Sequence, residues 1–345
     1  MKLTAAVLEE CGKPLQILDL EIPKLARGQV LVKIAYSAIC RSQLMEINGL
    51  RGHDKWLPHL LGHEASGTIV DVGAEVTKVR PGDEVILTWI KCSGIESTTP
   101  QYSHDGRTIN AGPITTFSNY SVVSENRIAL KPKGLDMDVA VLFGCALATG
   151  SGMVLKELDI HPEQSVVVLG LGGVGMGALL TLMAMGHKKL VAVDSDQSKC
   201  AMAESFGSCT ICSDSAETIL TSGPEFASDG FDICVEAGGS VATIELGFSL
   251  LKAATGVLLF ASHPPQGDRL RVDPHELIVG KQIRGSWGGA LEPDLDIPTL
   301  ATIFSEAGER LHRLTASQFR LSQINEAVTL FSNGQIFRPI LKMEH

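Results

Sequence analysis

This sequence contains few aromatic residues and few cysteines, and it has no excess of positive charge. Phenylalanine, tryptophan and tyrosine together make up only 5% of its 345 residues. Eight cysteines in a chain of this length are too few for a disulfide scaffold. Lysine and arginine number 29 against 39 acidic residues, and the net charge is −10. This balance leaves no broad basic surface for nucleic acid or for an anionic membrane, so neither is expected as a partner.

A secretory leader is also missing from the first residues, MKLTAAVLEECGKPL. We therefore expect a reduced, cytoplasmic setting, in which cysteines serve as metal ligands, reactive thiols or core residues. Hydrophobic residues make up 44% and charged residues 20%, which excludes a disordered or fibrous chain. The length exceeds one compact core and suits two domains.

Two patterns of hydrophobicity divide the chain. Residues 1–147 contain short β-branched runs separated by glycine, proline and aspartate, which is typical of an antiparallel β-rich domain. Residues 148–287 alternate short apolar strands with helical stretches, which predicts βαβ units and a parallel sheet. The strands of this second region are predicted at 165–169, 190–194, 232–236, 256–260 and 282–285. Residues 288–345 return to a mixed pattern, with a helix predicted at 322–333.

One stretch of 22 residues, from Ser165 to Gly186, carries no charge. By length and hydrophobicity it could be a transmembrane helix. It also contains a GxGxxG motif between a predicted strand and a predicted helix, which is the pattern of a Rossmann dinucleotide site. The motif residues are Gly170, Gly172, Gly173, Val174 and Gly175. Only the dinucleotide interpretation explains this periodicity, and we prefer it.

The next predicted strand ends in Asp194, nineteen residues after Gly175. A carboxylate at this position accepts hydrogen bonds from ribose hydroxyls and repels a 2′-phosphate. Ser195 and Asp196 offer no arginine for such a phosphate, so NAD is predicted over NADP. Lys199 could reach the same ribose, although a solvated helix lysine is an equally simple interpretation.

The first region contains three candidate metal ligands, Cys40, His63 and Cys145. They are separated by 23 and 82 residues and form no local finger, so their spacing alone predicts nothing. A buried cysteine or a hydrogen-bonded core histidine is the simpler interpretation of each one. Cys209 and Cys212 have the spacing of a redox or metal pair but lie on a predicted strand, where core or strand-end cysteines are the better interpretation.

The sequence resembles the zinc-dependent alcohol dehydrogenases of the medium-chain dehydrogenase family over essentially its full length. The motifs that carry the resemblance are Cys40-Arg41-Ser42, Gly62-His63-Glu64-x-x-Gly67, Val72-Gly73, Pro81-Gly82-Asp83-Glu84-Val85, Thr116-Phe117-Ser118-Asn119-Tyr120, Gly144-Cys145, the glycine loop at 170–175 and Gly285-Ser286-Trp287-Gly288-Gly289. The resemblance implies an α/β protein with two domains. A β-rich GroES-like catalytic domain would span 1–147 and be completed by 288–345, and a Rossmann NAD-binding domain would span 148–287.

The resemblance also assigns chemistry to individual residues. It implies one catalytic zinc held by Cys40, His63 and Cys145, with Glu64 close to the metal as a supporting or alternate ligand. Ser42 matches the family's position that hydrogen-bonds the substrate alcohol and starts the proton relay, although an N-cap serine would also suit this point of the chain.

The resemblance places further residues at the cofactor. Arg41 and Arg338 match arginines that pair with its pyrophosphate. Thr149 corresponds to a residue near the nicotinamide, and Ser262 belongs to the segment 260–262 whose backbone holds the carboxamide.

Three departures from the family pattern stand out. Many relatives hold a second, structural zinc with four cysteines, but only Cys92 is present in that region, so no structural zinc and a shortened lobe are predicted. Met45 replaces a relay histidine, which leaves solvent, the ribose or Glu46 to carry the proton. Gln43-Leu44 follows Ser42, so an amide replaces a possible carboxylate and puts the usual hydrogen bond behind the metal ligands in doubt.

The scarcity of aromatic residues bears on the substrate. Family members that act on simple alcohols tend to have aromatic sites, whereas Thr88 falls near a position often occupied by phenylalanine. We therefore expect a polar secondary alcohol such as a polyol, cyclitol or sugar derivative. Two alternatives remain, a zinc-free type of quinone or enoyl reductase and a non-catalytic nucleotide sensor. Because members of the family usually form dimers or tetramers, a homodimer or homotetramer is expected.

Overall fold

The computed structural model describes residues 2–345. The strands are β1 (Leu3–Leu8), β2 (Gln16–Leu20), β3 (Gln29–Ala38), β4 (His59–Leu60), β5 (Glu64–Val72), β6 (Glu84–Thr88), β7 (Gln101–His104), β8 (Arg107–Asn110), β9 (Tyr120–Ser124), β10 (Ile128–Leu130), β11 (Val166–Leu169), β12 (Leu190–Asp194), β13 (Cys209–Cys212), β14 (Ile233–Glu236), β15 (Val257–Phe260), β16 (Gln282–Gly285), β17 (Gln318–Arg320) and β18 (Ile340–Lys342). The α-helices are α1 (Arg41–Ile47), α2 (Met137–Ala140), α3 (Ala146–Gly152), α4 (Gly173–Ala184), α5 (Gln197–Ser205), α6 (Ala216–Ser222), α7 (Val241–Ser249), α8 (Pro274–Val279), α9 (Pro293–Ile303), α10 (Gly308–Leu314) and α11 (Ile324–Ser332).

These elements form two compact units. The first contains the chain up to Cys145 together with Glu292–His345, and the second contains Ala146–Leu291. The hydrophobicity patterns placed the two boundaries at 147/148 and 287/288, a few residues from these positions.

The first unit is built from two sheets. A five-stranded sheet has the order β2-β1-β4-β8-β7, and a larger sheet has the order β10-β6-β5-β3-β18-β17 with β9 also paired to β3. The long strand β3 is central because it pairs with β5, β9 and β18. The partner β18 comes from the C-terminal segment and pairs Ile340 with Ala38, so that segment completes this unit.

Residues 101–110 form a β-hairpin that the sequence did not predict. Neither Gln101–His104 nor Arg107–Asn110 contains an apolar run, so no strand is predicted there from the sequence. The hairpin joins the five-stranded sheet, and Tyr102 and Ile109 are buried against its core. Tertiary packing of two apolar side chains therefore outweighs the low strand propensity of this segment.

The segment around Cys92 is held by a buried carboxylate. Glu125 is 1% exposed, and its Oε1 accepts hydrogen bonds from the backbone N–H groups of Thr77 and Lys78 at 2.7 and 2.8 Å. Its Oε2 accepts from Ile95 N–H at 2.8 Å. Burial disfavours the charged carboxylate, but these donors outweigh that effect, and the pKa of Glu125 is lowered. The Glu125 side chain thereby connects residues 77–78 to residue 95.

Replacing Glu125 with glutamine should destabilise the first unit by about 2 kcal/mol at pH 7, because an amide nitrogen would face buried N–H donors. Urea unfolding of both proteins measures the difference. The lowered pKa means that the contribution is present above the ordinary glutamate pKa and is lost as the pH falls through the folded-state pKa, so the two proteins should converge in acid. Glu84→Gln is the control, because Glu84 is more than half exposed and its carboxylate pairs with Lys131 at the surface. Equal losses from both variants would contradict this role.

The second unit is a six-stranded parallel sheet in the order β13-β12-β11-β14-β15-β16. Numbered within the unit, this order is 3-2-1-4-5-6, the doubly wound order of dinucleotide-binding domains. Strand order reverses between β11 and β14, and ligands of such sheets bind at the carboxyl ends of the strands beside that reversal. The glycine loop follows β11 and therefore lies at this point.

The charge-free stretch is a strand, a loop and a helix of 12 residues, α4. Among residues 2–345, no single helix has the length and apolar composition needed to cross a bilayer. One bent pair, Met137–Gly144 with Ala146–Glu157, meets that test only when its two parts are combined. The apolar character of α4 instead reflects its burial, because its side chains from Met176 to Leu182 are covered.

Candidate metal and dinucleotide sites

The first unit brings the distant residues Cys40, His63 and Cys145 together. Cys40 lies in the cap position directly before α1, where extended backbone gives way to helix. His63 follows Gly62, whose φ is +90°. A side chain at Gly62 would also collide with Thr116 Oγ1 at 2.4 Å, so glycine is required both for the turn and for the close approach.

Cys145 is positioned by a similar close approach. A Cβ on Gly144 would lie 2.4 Å from the Leu87 carbonyl oxygen and 2.9 Å from Glu64 Cβ. Glycine at 144 therefore lets the chain pack directly against β5 and β6, and the next residue, Cys145, reaches His63. The distance from His63 Nε2 to Cys145 Sγ is 3.3 Å.

The four side chains Cys40, His63, Glu64 and Cys145 form one cluster. Each offers a sulfur, nitrogen or carboxylate oxygen that lies within 4.8 Å of those of the others. Hydrogen bonding from Cys145 holds the pKa of Cys40 well below its usual value and raises the pKa of Cys145. Burial lowers the pKa of His63, but its interactions with Cys40 outweigh burial and raise it.

This donor set fits a zinc ion. Two sulfurs and an imidazole are ligands that zinc prefers in a site that keeps one position open, and a cation would displace the protons that these groups now share. Glu64 adds a carboxylate at the same place, and its role as a supporting or alternate ligand stays a prediction.

Arg338 lies against this cluster rather than at the surface. Its guanidinium donates to Glu64 Oε1, and the side chains of Arg338 and Glu64 are 4% and 0% exposed. The sequence assigned Arg338 to the cofactor pyrophosphate, and that role stays a prediction. The contact that the structure shows is a buried ion pair.

Gln43 occupies the position behind His63 that the sequence left in doubt. Its Nε2 lies 2.6 Å from His63 Nδ1, and its Oε1 accepts from Cys40 N–H at 3.3 Å. The amide therefore contacts two of the metal-ligand candidates. Such partners orient metal-binding histidines, so the replacement of a carboxylate by an amide has kept a contact at this position.

Gln43→Leu should lower the affinity for zinc by roughly 10- to 100-fold, because it removes both polar contacts from Cys40 and His63. Competition with a chromophoric chelator measures this affinity without reference to activity. Met45→Leu, on the same helix, is the matched control and should bind zinc as the wild type does. Unchanged affinity in Gln43→Leu would show that the amide is dispensable.

Arg41 and Ser42, the two residues that follow Cys40, lie in different environments. Ser42 is not the N-cap of α1, which is Cys40, so the simpler interpretation of Ser42 is wrong. The Ser42 Oγ is buried and has no hydrogen-bond partner within residues 2–345. Arg41, the first residue of α1, is exposed. An unsatisfied buried hydroxyl is unusual, and a substrate hydroxyl would satisfy it.

A cavity of about 580 Å³ lies in the first unit beside His63. Its polar lining residues are Gln43, Glu46, Arg51, His53, Asp54, Lys55, His59, His63, Thr99, Asn110 and Thr115. Trp56 is its one lining tryptophan, tyrosine or phenylalanine within residues 2–345. Thr115 is 3% exposed, and its Oγ1 has no partner in the same described part of the chain.

Glu46, Asp54 and His59 form a second group in this cavity, with potential ligand atoms within 4.8 Å of one another. His59 Nε2 lies 2.8 Å from Asp54 Oδ2, and its Nδ1 lies 2.9 Å from the Leu60 carbonyl oxygen. His59 is therefore engaged by Asp54 and by the backbone of Leu60. Asp54 was missed, because nothing in the sequence places residue 54 opposite His59.

In the second unit the glycine loop has the geometry of a phosphate cradle. Gly170 has a φ of +89°, and a Cβ there would meet Gly238 N at 2.5 Å. A Cβ on Gly175 would lie 1.8 Å from the Gly170 carbonyl oxygen. Gly172, by contrast, faces open space with no atom within 4 Å, directly before the N-terminus of α4. These close backbone approaches require glycine at positions 170 and 175. Gly172, followed by Gly173 and Val174, instead leaves room for an anion at the start of α4.

Asp194 lies beside this loop at the end of β12. Its Oδ2 accepts from Leu171 N–H at 2.7 Å, and its Oδ1 accepts from Asp196 N–H at 2.9 Å. Lys199 Nζ is 3.7 Å from Asp194 Oδ1. The structure therefore places the glycine loop, Asp194 and Lys199 together, as a ribose and phosphate site requires.

Thr149 and Ser262 lie elsewhere in this unit. Thr149 is 6% exposed on α3, and its Oγ1 has no partner within residues 2–345. Ser262 donates to Glu236 Oε1 at 2.9 Å and accepts from Gly239 N–H at 2.6 Å. Burial raises the pKa of Glu236, which also accepts from Gly238 N–H at 2.7 Å. Sequence reasoning missed Glu236, although its position at the end of a central parallel strand was a usable signal.

Two family models match this chain. One describes the alcohol dehydrogenase GroES-like domain and matches residues 26–133, and the other describes a zinc-binding dehydrogenase and matches residues 173–306. The fold, the cluster of potential metal ligands and the two family matches together define an oxidoreductase of the alcohol dehydrogenase type. The chain belongs to the alcohol dehydrogenase family of medium-chain, zinc-type dehydrogenases.

Solved structures support the same fold. An alcohol dehydrogenase zinc-binding domain protein from Burkholderia ambifaria has a TM-score of 0.90 at 25% identity, and all of both chains is covered. Benzyl alcohol dehydrogenase from Acinetobacter calcoaceticus has a TM-score of 0.87 at 24% identity, again over both full chains. A 2R,3R-butanediol dehydrogenase from Bacillus subtilis has a TM-score of 0.75 at 20% identity over 99% of each chain. The last two similarities concern the fold alone.

Proposed function

We propose that this protein is a zinc- and NAD-dependent dehydrogenase that oxidises a polar secondary alcohol, such as a polyol, cyclitol or sugar derivative. The observation that carries the proposal is the cluster of Cys40, His63 and Cys145, which are remote in sequence and meet within 4.8 Å. A zinc ion in such a set supplies Lewis-acid polarisation of a substrate oxygen.

Residues of the chain itself would bind the alcohol and move its proton. The Ser42 Oγ, buried and without a partner, is suited to hydrogen-bond the substrate hydroxyl and to take up its proton. Met45 offers no acid or base, so the proton would pass on through solvent, the cofactor ribose or Glu46, which lines the cavity.

NAD is favoured over NADP by charge at the end of β12. Asp194 is 9% exposed and engages two backbone N–H groups, so its carboxylate is fixed in place. A 2′-phosphate on the ribose would meet this negative charge. Lys199 is a neighbouring cation, and its distances of 3.7 and 3.8 Å to Asp194 and Asp196 commit it to both carboxylates.

A polar substrate is favoured by the cavity. Its lining offers carboxylates at Glu46 and Asp54, amides at Gln43 and Asn110, and the unpartnered hydroxyl of Thr115. Buried donors and acceptors reject a ligand that cannot pair with them, which disfavours simple aliphatic alcohols.

Metal analysis and initial rates test the proposal together. We expect about one zinc per chain, since two thiols and one imidazole make one site and Cys92 lies in none of the groups of potential ligands found among residues 2–345. We also expect faster reduction of NAD than of NADP, with polyols preferred in a panel that includes simple primary alcohols. Two zinc ions per chain would contradict the single metal site. Turnover of aliphatic primary alcohols alone would contradict the polar substrate.

A further inference from the structure

Two cysteines of the second unit lie side by side where the structure meets solvent. Strand β13 is the edge strand of the parallel sheet, and its last residue, Cys212, is exposed. Cys200 lies on α5 and is 0% exposed. Cys212 is also one of the groups that raise the pKa of Cys200, after burial itself. Neither has a role in the proposed metal or cofactor chemistry.

Backbone contacts fix both sulfurs at the same point. The Cys200 thiol lies 3.3 Å from the Asp194 carbonyl oxygen and 3.9 Å from that of Ile211, the residue before Cys212. The Cys212 thiol lies 3.6 Å from the Ser195 carbonyl oxygen. Asp194 and Cys212 are also direct neighbours in the parallel pairing of β12 with β13. The two thiols therefore contact the carbonyl oxygens of two consecutive residues, Asp194 and Ser195, in the segment that carries the Asp194 carboxylate.

We propose that Cys212 and Cys200 are a thiol pair that hydroperoxides oxidise to an intramolecular disulfide, and that this disulfide weakens NAD binding at Asp194. The second half rests on the proposed NAD site, whereas the first half does not. The juxtaposition of one exposed and one buried thiol, both bonded to the backbone beside Asp194, carries the inference.

The chemistry proceeds in two balanced steps. The exposed Cys212 sulfur attacks the hydroperoxide O–O bond, which gives a sulfenic acid and releases the alcohol, or water when the oxidant is hydrogen peroxide. The Cys200 sulfur then displaces hydroxide from that sulfenic acid, and its proton leaves with the hydroxide as water. The two sulfurs together lose two electrons and two protons, and the peroxide is reduced. Burial raises the pKa of Cys200 to about 12, which disfavours Cys200 as the sulfur that attacks the peroxide and leaves that step to the exposed Cys212.

Oxidation would change the backbone next to the ribose site. A disulfide has no S–H, so the hydrogen bonds to the carbonyls of Asp194 and Ser195 are lost together. The link would also draw α5 towards the end of β13. Because the Asp194 carboxylate is held by two backbone N–H groups, movement of its own segment would misplace it.

Peptide mapping after oxidation tests the pair. The reduced, zinc-loaded enzyme is treated with hydrogen peroxide, its remaining thiols are alkylated, and the peptides are analysed by mass spectrometry. We expect a Cys200–Cys212 cross-link that dithiothreitol removes, together with a reversible rise of about tenfold in the dissociation constant for NAD. Binding is measured rather than activity, because peroxide can also attack Cys40 and Cys145.

Matched variants decide the interpretation. Cys212→Ser should form no cross-link and keep its NAD affinity under peroxide. Cys209→Ser should behave as the wild type, because Cys209 is exposed on the same strand but three residues away and therefore on the opposite face. Cys200→Ala serves as a second test and should leave Cys212 as a sulfenic or sulfinic acid.

Two results would overturn the proposal. One is wild-type Cys212 recovered as sulfinic acid or linked between molecules, with Cys200 still a thiol. The other is a cross-link that leaves NAD affinity unchanged, which would refute its effect on the cofactor. If the reduced wild type binds no NAD at all, the proposed cofactor is wrong, and the peptide map alone decides whether the thiol pair forms.

Discussion

Cys145→Ala should lose its zinc and at least roughly 10³-fold of its dehydrogenase activity. Only Cys40 and His63 would remain of the sulfur and imidazole ligands, and two ligands hold zinc poorly. Lewis-acid stabilisation by a metal contributes several kcal/mol, and each 1.4 kcal/mol is tenfold in rate, which gives the expected size. Zinc content by elemental analysis and kcat with the best alcohol of the panel are the two measurements.

Cys92→Ala is the matched control for that experiment. Cys92 is half-buried, and burial raises its pKa to about 12, so it is a poor thiolate donor at neutral pH. It also lies outside the groups of potential metal ligands found among residues 2–345. Zinc content and kcat should both be unchanged. A metal loss from Cys92→Ala would revive a structural zinc, and full activity in metal-free Cys145→Ala would favour the zinc-free reductase alternative.

The parallel sheet was the most predictable part of the fold. Strands 190–194 and 282–285 have the predicted bounds, and 165–169, 232–236 and 256–260 each begin one residue later than predicted. Parallel strands are buried on both faces and therefore appear as continuous apolar runs between helices. The hairpin at 101–110 has no such run, and its strands are defined only by packing against the five-stranded sheet.

The candidate metal cluster was less accessible to sequence reasoning than the dinucleotide loop. The glycines at 170–175 and Asp194 belong to one βαβ unit, so local order brings them together. Cys40, His63 and Cys145 meet only because Gly62 and Gly144 allow close approaches between distant segments. Without the family resemblance, nothing in their spacing selects them from the other cysteines and histidines.

Polar partners of the site were the least predictable. The amide of Gln43 puts the usual hydrogen bond behind the metal ligands in doubt from the sequence alone, yet in the structure it contacts both His63 and Cys40. Arg338 was assigned to the cofactor, and its contact with Glu64 joins residues that are 274 positions apart. Side-chain contacts of this kind depend on tertiary geometry that no periodicity records.

Arg338→Met should destabilise the first unit by about 3–5 kcal/mol, because it removes the buried guanidinium that pairs with the fully buried Glu64 carboxylate. Urea unfolding followed by the fluorescence of Trp56 and Trp89, both in the first unit, measures the loss. Arg80→Met is the matched control, because the Arg80 side chain is 86% exposed, and it should cost less than about 1 kcal/mol.

The double variant Glu64→Gln with Arg338→Met isolates the cause of that loss. If an uncompensated buried charge dominates, removing the charge should recover at least half of the stability that Arg338→Met loses. If packing of the arginine side chain dominates, the double variant should be no more stable than the single one. The first outcome would mean that Arg338 holds the Glu64 carboxylate ionised beside Cys40 and His63. Its role in the metal cluster would then be electrostatic and independent of any contact with the cofactor.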